Sequence, residues 1–246
     1  MSALQEQLRG IDTLTFDCYG TLIDWRRGWR ETFGEIFGRQ LDGRMDELVG
    51  AYESVEAEVE QAAVSGGGFM AYRDVLTEVT RRLAGRLGLQ LQADRADLLA
   101  RRLPDWRPFD DTGEALSRLK KRFRLGAVSN VDRDLFAGTT ETIRRAMPAG
   151  GQESAGDHGP FDFVITAEDV GSYKPAQGHF ERLLSTHADR TRVLHVAQSL
   201  FHDGTPAGAL GIAFVWINRY NDVALKSAIT LAELPDLRSL AEEAGV

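Results

Sequence analysis

The sequence predicts an α/β protein with a doubly wound parallel sheet and an inserted helical domain. Two observations lead to this fold class. In the second half of the chain, short apolar segments alternate with helical patterns, as they do in parallel sheets. The block that follows the first apolar segment is rich in Glu, Arg, Ala and Leu, has helical spacing and contains no convincing strand.

Each predicted element rests on its pattern of apolar residues. Strands are predicted at Ile11–Phe16, Phe123–Val128, Phe161–Ile165, Val193–Ala197 and Ile212–Ile217. Helices are predicted between them at Gly113–Arg122, Asp132–Arg145, Gln177–Thr186 and Thr205–Leu210. Residues 26–107 are predicted to form a cap domain of four to five helices, and residues 1–25 and 108–246 a Rossmann-like core domain. A turn is predicted at Ser65–Gly68 and a glycine-rich loop at residues 148–160.

Composition restricts the class of function. The chain has 246 residues, a net charge of −8 and a pI of about 5.2, without a basic stripe. These values argue against nucleic acid and anionic membranes as partners. We expect a soluble cytoplasmic protein, because no apolar run could span a bilayer and no signal-peptide pattern begins the chain. The single cysteine, Cys18, excludes an internal disulfide and a thiolate zinc site.

Polar residues follow four of the predicted strands. They are Asp17 and Thr21, then Ser129 and Asn130, then Lys174, and finally Asp203. The carboxyl ends of parallel strands meet at one edge of the sheet, so we expect these side chains to form one site. A carboxylate nucleophile, a lysine, hydrogen-bond donors and a second acid can together carry out covalent hydrolysis.

The same residues resemble a known superfamily. The segments Asp17-Cys18-Tyr19-Gly20-Thr21, Ser129-Asn130, Lys174-Pro175 and Val196–Asp203 are similar, in order and spacing, to the four motifs of the haloacid dehalogenase superfamily. The resemblance covers essentially the whole chain, including the cap. It implies a Rossmann-like core and an aspartate nucleophile.

Two positions favour one branch of that superfamily. Its phosphatases have a second aspartate two residues after the nucleophile, where this chain has Tyr19, and usually an acid where it has Gln198. Fewer carboxylates weaken a magnesium site, and a halide leaving group needs no general acid. The pattern is therefore similar to the metal-independent 2-haloacid dehalogenases, which implies no cofactor, no metal and a small anionic haloacid as substrate. A homodimer is possible by the same resemblance.

The resemblance also implies a role for each site residue. Asp17 would displace the halide. Thr21 would orient the Asp17 carboxylate, and Lys174 would keep that carboxylate ionised. Asp203 would orient the water. Ser129 would bind the substrate carboxylate and Asn130 the halide. The further candidates for substrate binding are Cys18, Tyr19, Trp25, Arg26, Arg73, Gln198 and His202.

The match to the dehalogenases is incomplete. The cap arginine that captures halide in the family has no counterpart at Leu48–Glu53, and Arg73 or Arg26 could replace it. A family tyrosine is Phe180 here, and His195 is predicted to be a buried core residue. Two alternatives stay open at this point: a magnesium-dependent phosphatase or phosphonatase, and a binding protein of the same fold without turnover.

Overall fold

A computed structural model describes residues 2–65, 68–149, 158–186, 189–225 and 228–246. Its centre is a six-stranded parallel sheet in the order β3-β2-β1-β4-β5-β6. The strands are β1 (Thr13–Phe16), β2 (Arg124–Ser129), β3 (Phe163–Thr166), β4 (Val193–Ala197), β5 (Ala213–Ile217) and β6 (Ala232–Leu234). The predicted fold class is therefore confirmed. The strand β6 has three residues and no apolar run, so the sequence pattern does not predict it.

The central strands are buried on both faces. Every residue of β1 and β4 is buried, including the polar Thr13 and Thr15 of β1 and His195 of β4. Phe16, the last residue of β1, is in register with Ala127 of β2 and Val196 of β4. This register brings the carboxyl ends of the three strands together, where the sequence places most of its candidate site residues.

Helices pack on both sides of the sheet. In chain order they are α1 (Ala3–Leu8), α6 (Thr112–Leu119), α7 (Arg133–Ala146), α8 (Ala167–Val170), α9 (Gly178–Thr186), α10 (Thr205–Ala209) and α11 (Leu237–Glu243). Several begin at polar caps of the expected kind: the Thr166 hydroxyl accepts from the Asp169 amide at the start of α8. The sequence pattern does not predict the helices α1, α8 and α11.

Four of the helices between β1 and β2 precede α6, and we call these four the helical cap. They are α2 (Trp25–Phe37), α3 (Met45–Ser65), α4 (Tyr72–Leu87) and α5 (Leu98–Arg102). Asp24 caps α2 by accepting a hydrogen bond from the Arg27 amide, and Gly88 ends α4 in the left-handed region. The predicted domain boundaries stay a prediction. Parts of the predicted turn at Ser65–Gly68 and of the loop at 148–160 lie outside the described residues.

Candidate active site

Asp17 lies in the turn that follows β1, at the carboxyl edge of the sheet. Its amide donates to the Val196 carbonyl oxygen at 3.1 Å, which continues the pairing between β1 and β4. The turn then tightens at Gly20, whose φ of 95° favours glycine. A side chain at Gly20 would also press against the Trp25 indole, 3.0 Å from Nε1. This local geometry directs the Asp17 carboxylate toward the neighbouring strand ends.

A single lysine joins the two acids of the site. The Lys174 Nζ donates to Asp17 Oδ1 at 2.8 Å, to Asp203 Oδ1 at 2.6 Å and to the Val128 carbonyl oxygen at 2.9 Å. The Lys174 and Asp203 side chains are each only 1% exposed. The Thr21 hydroxyl donates to Asp17 Oδ2 at 3.1 Å. The structure thus brings together the four predicted catalytic residues.

Burial and charge act against each other in this cluster. Burial raises the pKa of Asp17, and the Lys174 ammonium lowers it only in part, so the net pKa is raised above its usual value. Burial also disfavours the charge of Asp203, but Lys174 and a hydrogen bond from His195 bring its pKa down to about 2. Burial lowers the pKa of Lys174, and its two carboxylate partners outweigh that effect, so that its pKa is raised.

Two buried histidines form hydrogen bonds with residues of the site. The His195 ring bridges the Thr15 hydroxyl and Asp203 Oδ1, at 2.9 Å from each, so it is a core residue that positions Asp203. His179 lies 3.2 Å from the Ser129 carbonyl oxygen through Nε2. Burial lowers the pKa of His179 to about 3, so the neutral ring donates this hydrogen bond. The contact between His195 and Asp203 has no signal in the sequence beyond a histidine within an apolar strand.

Three buried polar atoms at the site have no hydrogen-bond partner among the described residues. They are Ser129 Oγ, Asp203 Oδ2 and Trp25 Nε1. Leaving such groups unpaired is costly, so we expect water or a polar ligand to satisfy them. Asn130 differs from them, because its amide group accepts from the Lys174 amide and donates to the Lys174 carbonyl oxygen.

A cavity of about 510 Å³ lies between the helical cap and the carboxyl edge of the sheet. Ten of the thirteen predicted site residues line it: Asp17, Tyr19, Trp25, Arg26, Ser129, Asn130, Lys174, Gln198, His202 and Asp203. Thr21 and Cys18 are fully buried beneath it. Burial raises the pKa of the Cys18 thiol well above its usual value, so this thiol stays protonated.

The two candidate arginines differ in position. Arg26 lines the cavity, where its guanidinium lies 3.7 Å from the Tyr220 ring centroid and 3.8 Å from Asp222. Arg73 does not line the cavity; its guanidinium forms ion pairs with Asp134 and Asp132. The expectation that Arg73 could supply the halide pocket is therefore corrected: its partners hold it at the surface of α4, where its side chain is 46% exposed.

The side chains of Tyr19, Gln198 and His202, which are also predicted to bind substrate, contact neighbouring protein side chains. The Tyr19 hydroxyl lies 2.9 Å from Thr139 Oγ1, and its ring meets Trp106 edge to face. Gln198 donates through its side chain to Asp222. His202 lies 3.1 Å from the Ser199 hydroxyl, and burial lowers the pKa of its imidazole, so its ring is neutral near pH 7.

The sequence interpretation missed the part of the site that α3 and α4 contribute. Glu53, Glu56 and Glu60 of α3 line the cavity, together with Tyr52 of α3 and Tyr72 of α4. The spacing of the three glutamates places them on one face of a helix. That spacing is visible in the sequence, but only the structure shows that the face points toward Asp17 rather than into solvent.

The residues at this site do not fit a magnesium ion, which many proteins of this fold use. Asp17 and Asp203 already share the Lys174 ammonium, and the two positions that would add acids hold Tyr19 and Gln198. Within the part of the chain that the structure describes, no three His, Cys, Asp or Glu side chains are grouped to hold a metal.

The helices described in the structure include none long and apolar enough to cross a membrane.

Known proteins share both the sequence pattern and the fold. The profile of a hydrolase family, described as haloacid dehalogenase-like hydrolase, matches residues 11–200. Haloacetate dehalogenase H-2 from Moraxella sp. (strain B) is 24% identical over 217 residues, which are 87% of this chain and 88% of that protein. (S)-2-haloacid dehalogenase from Pseudomonas sp. (strain YL) is 25% identical over 220 residues, with 87% and 85% covered.

The fold comparison agrees with the sequence comparison. The crystal structure of the L-2-haloacid dehalogenase RSc1362 superimposes with a TM-score of 0.78 at 22% identity, covering 96% of this chain and 99% of the other. At such identity the likeness shows the fold alone. The parallel sheet with its cap and the cluster at the strand ends define a hydrolase of the α/β class. The chain belongs to the haloacid dehalogenase-like hydrolase family.

Proposed function

We propose that the protein hydrolyses the carbon–halogen bond of 2-halo acids through an ester to Asp17, without a metal ion. The observation that carries the proposal is the Asp17–Lys174–Asp203 cluster, in which one ammonium serves both acids. Tyr19 and Gln198 stand where phosphatases of this fold would have further acids. The names of the two relatives, which are both dehalogenases, support the same reaction.

In the first step, a carboxylate oxygen of Asp17 attacks C2 of the substrate. The new carbon–oxygen bond forms as the carbon–halogen bond breaks, and the halide leaves with its electron pair. Attack is in line, so C2 inverts and the halide departs on the side away from Asp17. The unpartnered Ser129 hydroxyl and the Arg26 guanidinium are the donors that bind the substrate carboxylate and the departing halide.

In the second step, water attacks the carbonyl carbon of the ester. The bond between that carbon and the product oxygen breaks and the 2-hydroxy acid leaves. One proton of the water ends on the product hydroxyl, the other passes to solvent, and Asp17 regains its carboxylate. The unpartnered Oδ2 of Asp203 orients the water; with a pKa of about 2, this group is a weak base.

A free-halide assay with and without EDTA tests the proposal. We expect halide from chloro-, bromo- or fluoroacetate or a 2-chloropropionate enantiomer, unchanged by the chelator. Asp17→Asn should abolish halide release and keep the circular dichroism spectrum. Release of phosphate that EDTA stops would instead establish the phosphatase alternative. Binding of a halo acid with no halide release would establish a binding protein.

A further inference from the structure

The cap side of the cavity is acidic and aromatic. It presents the carboxyl groups of Glu53, Glu56 and Glu60, with the rings of Tyr52 and Tyr72 beside them. None of the three glutamates forms an ion pair with a described Arg, Lys or His. In the dehalogenases that this chain resembles, the cap instead contributes an arginine. The cap side of this cavity therefore differs from that pattern.

Glu56 is held in a fixed position. The hydroxyls of Tyr52 and Tyr72 both donate to Glu56 Oε1, each at 2.9 Å, and both rings are buried. No described hydrogen bond reaches Glu56 Oε2. Two tyrosines thus orient the carboxylate from behind and leave one oxygen for a molecule in the cavity. Preorganisation of this kind is typical of a binding residue rather than of a solvated surface acid.

Glu60 lies one turn further along the same face. Burial raises its pKa well above the usual value, Glu56 raises it further, and Lys174 opposes the shift. Burial raises the pKa of Glu56 as well, and its two tyrosine donors counter the shift. Burial thus disfavours the charged form of both carboxyl groups, and a cation bound beside them would lower their pKa values and offset that cost.

Aromatic rings complete this wall. The Trp25 and Tyr52 ring centroids are 5.7 Å apart, and Tyr19 and Trp106 are paired at 6.2 Å. Trp29 stacks on one face of Tyr52, with ring centroids 5.1 Å apart, and no described arginine or lysine lies over a face of the four rings. Aromatic faces beside carboxylates are the surroundings that attract organic ammonium groups.

Six acids and two bases line the cavity: Asp17, Glu53, Glu56, Glu60, Asp203 and Asp222 against Arg26 and Lys174. Lys174 pairs with Asp17 and Asp203, and Arg26 lies 3.8 Å from Asp222, so the cap glutamates are the acids without a described cationic partner. A volume of about 510 Å³ suits a ligand much larger than a haloacetate. The fully buried Ser129 hydroxyl has no described partner, which separately favours a polar ligand in this cavity.

We propose that the cap wall around Glu56 binds an organic ammonium group, so that the substrate is a 2-halo acid carrying a cationic amino or quaternary ammonium end. This inference rests on the proposed function for the reacting end of the molecule. The carboxylate end lies at Ser129 and Arg26, and the cationic end lies against Glu56 and the aromatic rings.

Binding of choline and of its neutral carbon isostere, 3,3-dimethylbutan-1-ol, tests the cation site without any reaction. We expect saturable choline binding, at least tenfold tighter than that of the isostere, followed by calorimetry or by the fluorescence of the cavity tryptophans. Glu56→Gln should remove most of this preference. Glu58→Gln is the matched control, because Glu58 lies on the same helix, does not line the cavity and pairs with Arg86.

Equal affinity for the two probes, or a preference that survives Glu56→Gln in a folded protein, would overturn the inference. Glu60→Gln provides a second variant should Glu56→Gln fail to fold, and it too should weaken choline binding. Tyr52→Phe keeps the ring but removes a hydrogen bond to Glu56, so it should lower the preference by a smaller factor.

A turnover measurement separates this inference from the proposed function. Two 2-chloro acids of equal length, one ending in trimethylammonium and one in tert-butyl, are compared by kcat/KM for halide release. We expect at least a tenfold advantage for the cationic substrate, lost in Glu56→Gln. Equal halide release from both would overturn the inference and leave the dehalogenase function in place. Selective choline binding with no halide from any substrate would support the cation site and refute the dehalogenase function.

Discussion

At the scale of residues, the site depends on how one ammonium is shared. Lys174 is buried, and its three hydrogen-bond acceptors are Asp17, Asp203 and the Val128 carbonyl oxygen. A buried lysine of this kind is tolerated because two carboxylates offset its desolvation. Among the described ion pairs, Asp17 has no partner besides Lys174, whereas Asp203 also contacts the His195 ring.

Replacing Lys174 by Met should therefore cost stability as well as activity. Two buried carboxylates would lose their cation, which typically destabilises by about 3 to 5 kcal/mol. Urea unfolding at pH 7 measures this loss. Asp17→Asn in the Lys174→Met background should recover part of it, because one of the stranded charges is then absent. A Lys174→Met protein as stable as the original would contradict the role of this ion pair.

The pH dependence of turnover follows from Asp17. Its pKa is raised, and only the ionised carboxylate attacks carbon, so kcat/KM should fall as the pH drops through that pKa. Thr21→Val removes the hydroxyl that donates to Asp17 Oδ2 and should move this acid limb to higher pH. The pH profile of kcat/KM in the two proteins measures the shift. An unmoved limb would show that another group controls it.

Arg26 and Arg73 offer a matched comparison of two arginines. Arg26→Ala should raise the KM for a 2-halo acid by about tenfold, because a charge-assisted hydrogen bond to the substrate is lost. Arg73→Ala should change KM little, since it removes only exposed ion pairs with Asp132 and Asp134. Steady-state kinetics of both variants decides the point, and similar small effects would leave neither arginine at the substrate.

At the scale of elements, the helix α2 positions the aromatic wall through a glycine. A β-carbon at Gly28 would overlap the Trp106 indole, so the close approach of α2 to this ring requires glycine. Trp106 in turn lines the cavity and donates from its indole to the Thr32 hydroxyl at 3.2 Å. The packing of α2 thus fixes one side of the binding space.

Two glycines of the same helix should respond in opposite ways to alanine. Gly28→Ala should destabilise by about 1 to 3 kcal/mol through overpacking against Trp106. Gly34→Ala meets nothing within 4 Å and should stabilise by about 0.5 to 1 kcal/mol, because alanine favours a helix interior. Thermal or urea unfolding of the two variants tests this. Equal effects would mean that the cap adjusts freely around Trp106.

At the scale of the whole molecule, the sequence predicts the sheet and the reacting groups well. Asp17 and Ser129 lie at the ends of β1 and β2, and Lys174 and Asp203 lie in the segments that follow β3 and β4. A parallel sheet gathers such segments at one edge. The cap is less predictable. Helical periodicity reveals its helices, but the choice between a face toward the cavity and a face toward solvent depends on tertiary packing.

Tertiary packing of the cap explains why Glu56 and Glu60 were missed and why Arg73 was misplaced. Glu56 and Glu60 look like ordinary surface acids in a Glu-rich helix, until α3 is placed over the carboxyl edge of the sheet. Arg73 looks like a candidate for the cavity until the cap is folded, and then Asp132 and Asp134 hold it outside. The short strand β6 escapes prediction for a different reason: it has too few apolar residues for any periodicity to be detected.

The shared position of the Lys174 ammonium has a consequence for the second half of the proposed reaction. Once Asp17 becomes an ester it carries no charge, and the N–H that it had engaged is released. This donor lies beside the ester, where it can meet the negative oxygen that develops as water adds. A counter-ion of the resting enzyme would thus become an electrophilic helper, and esterification itself would bring about the change.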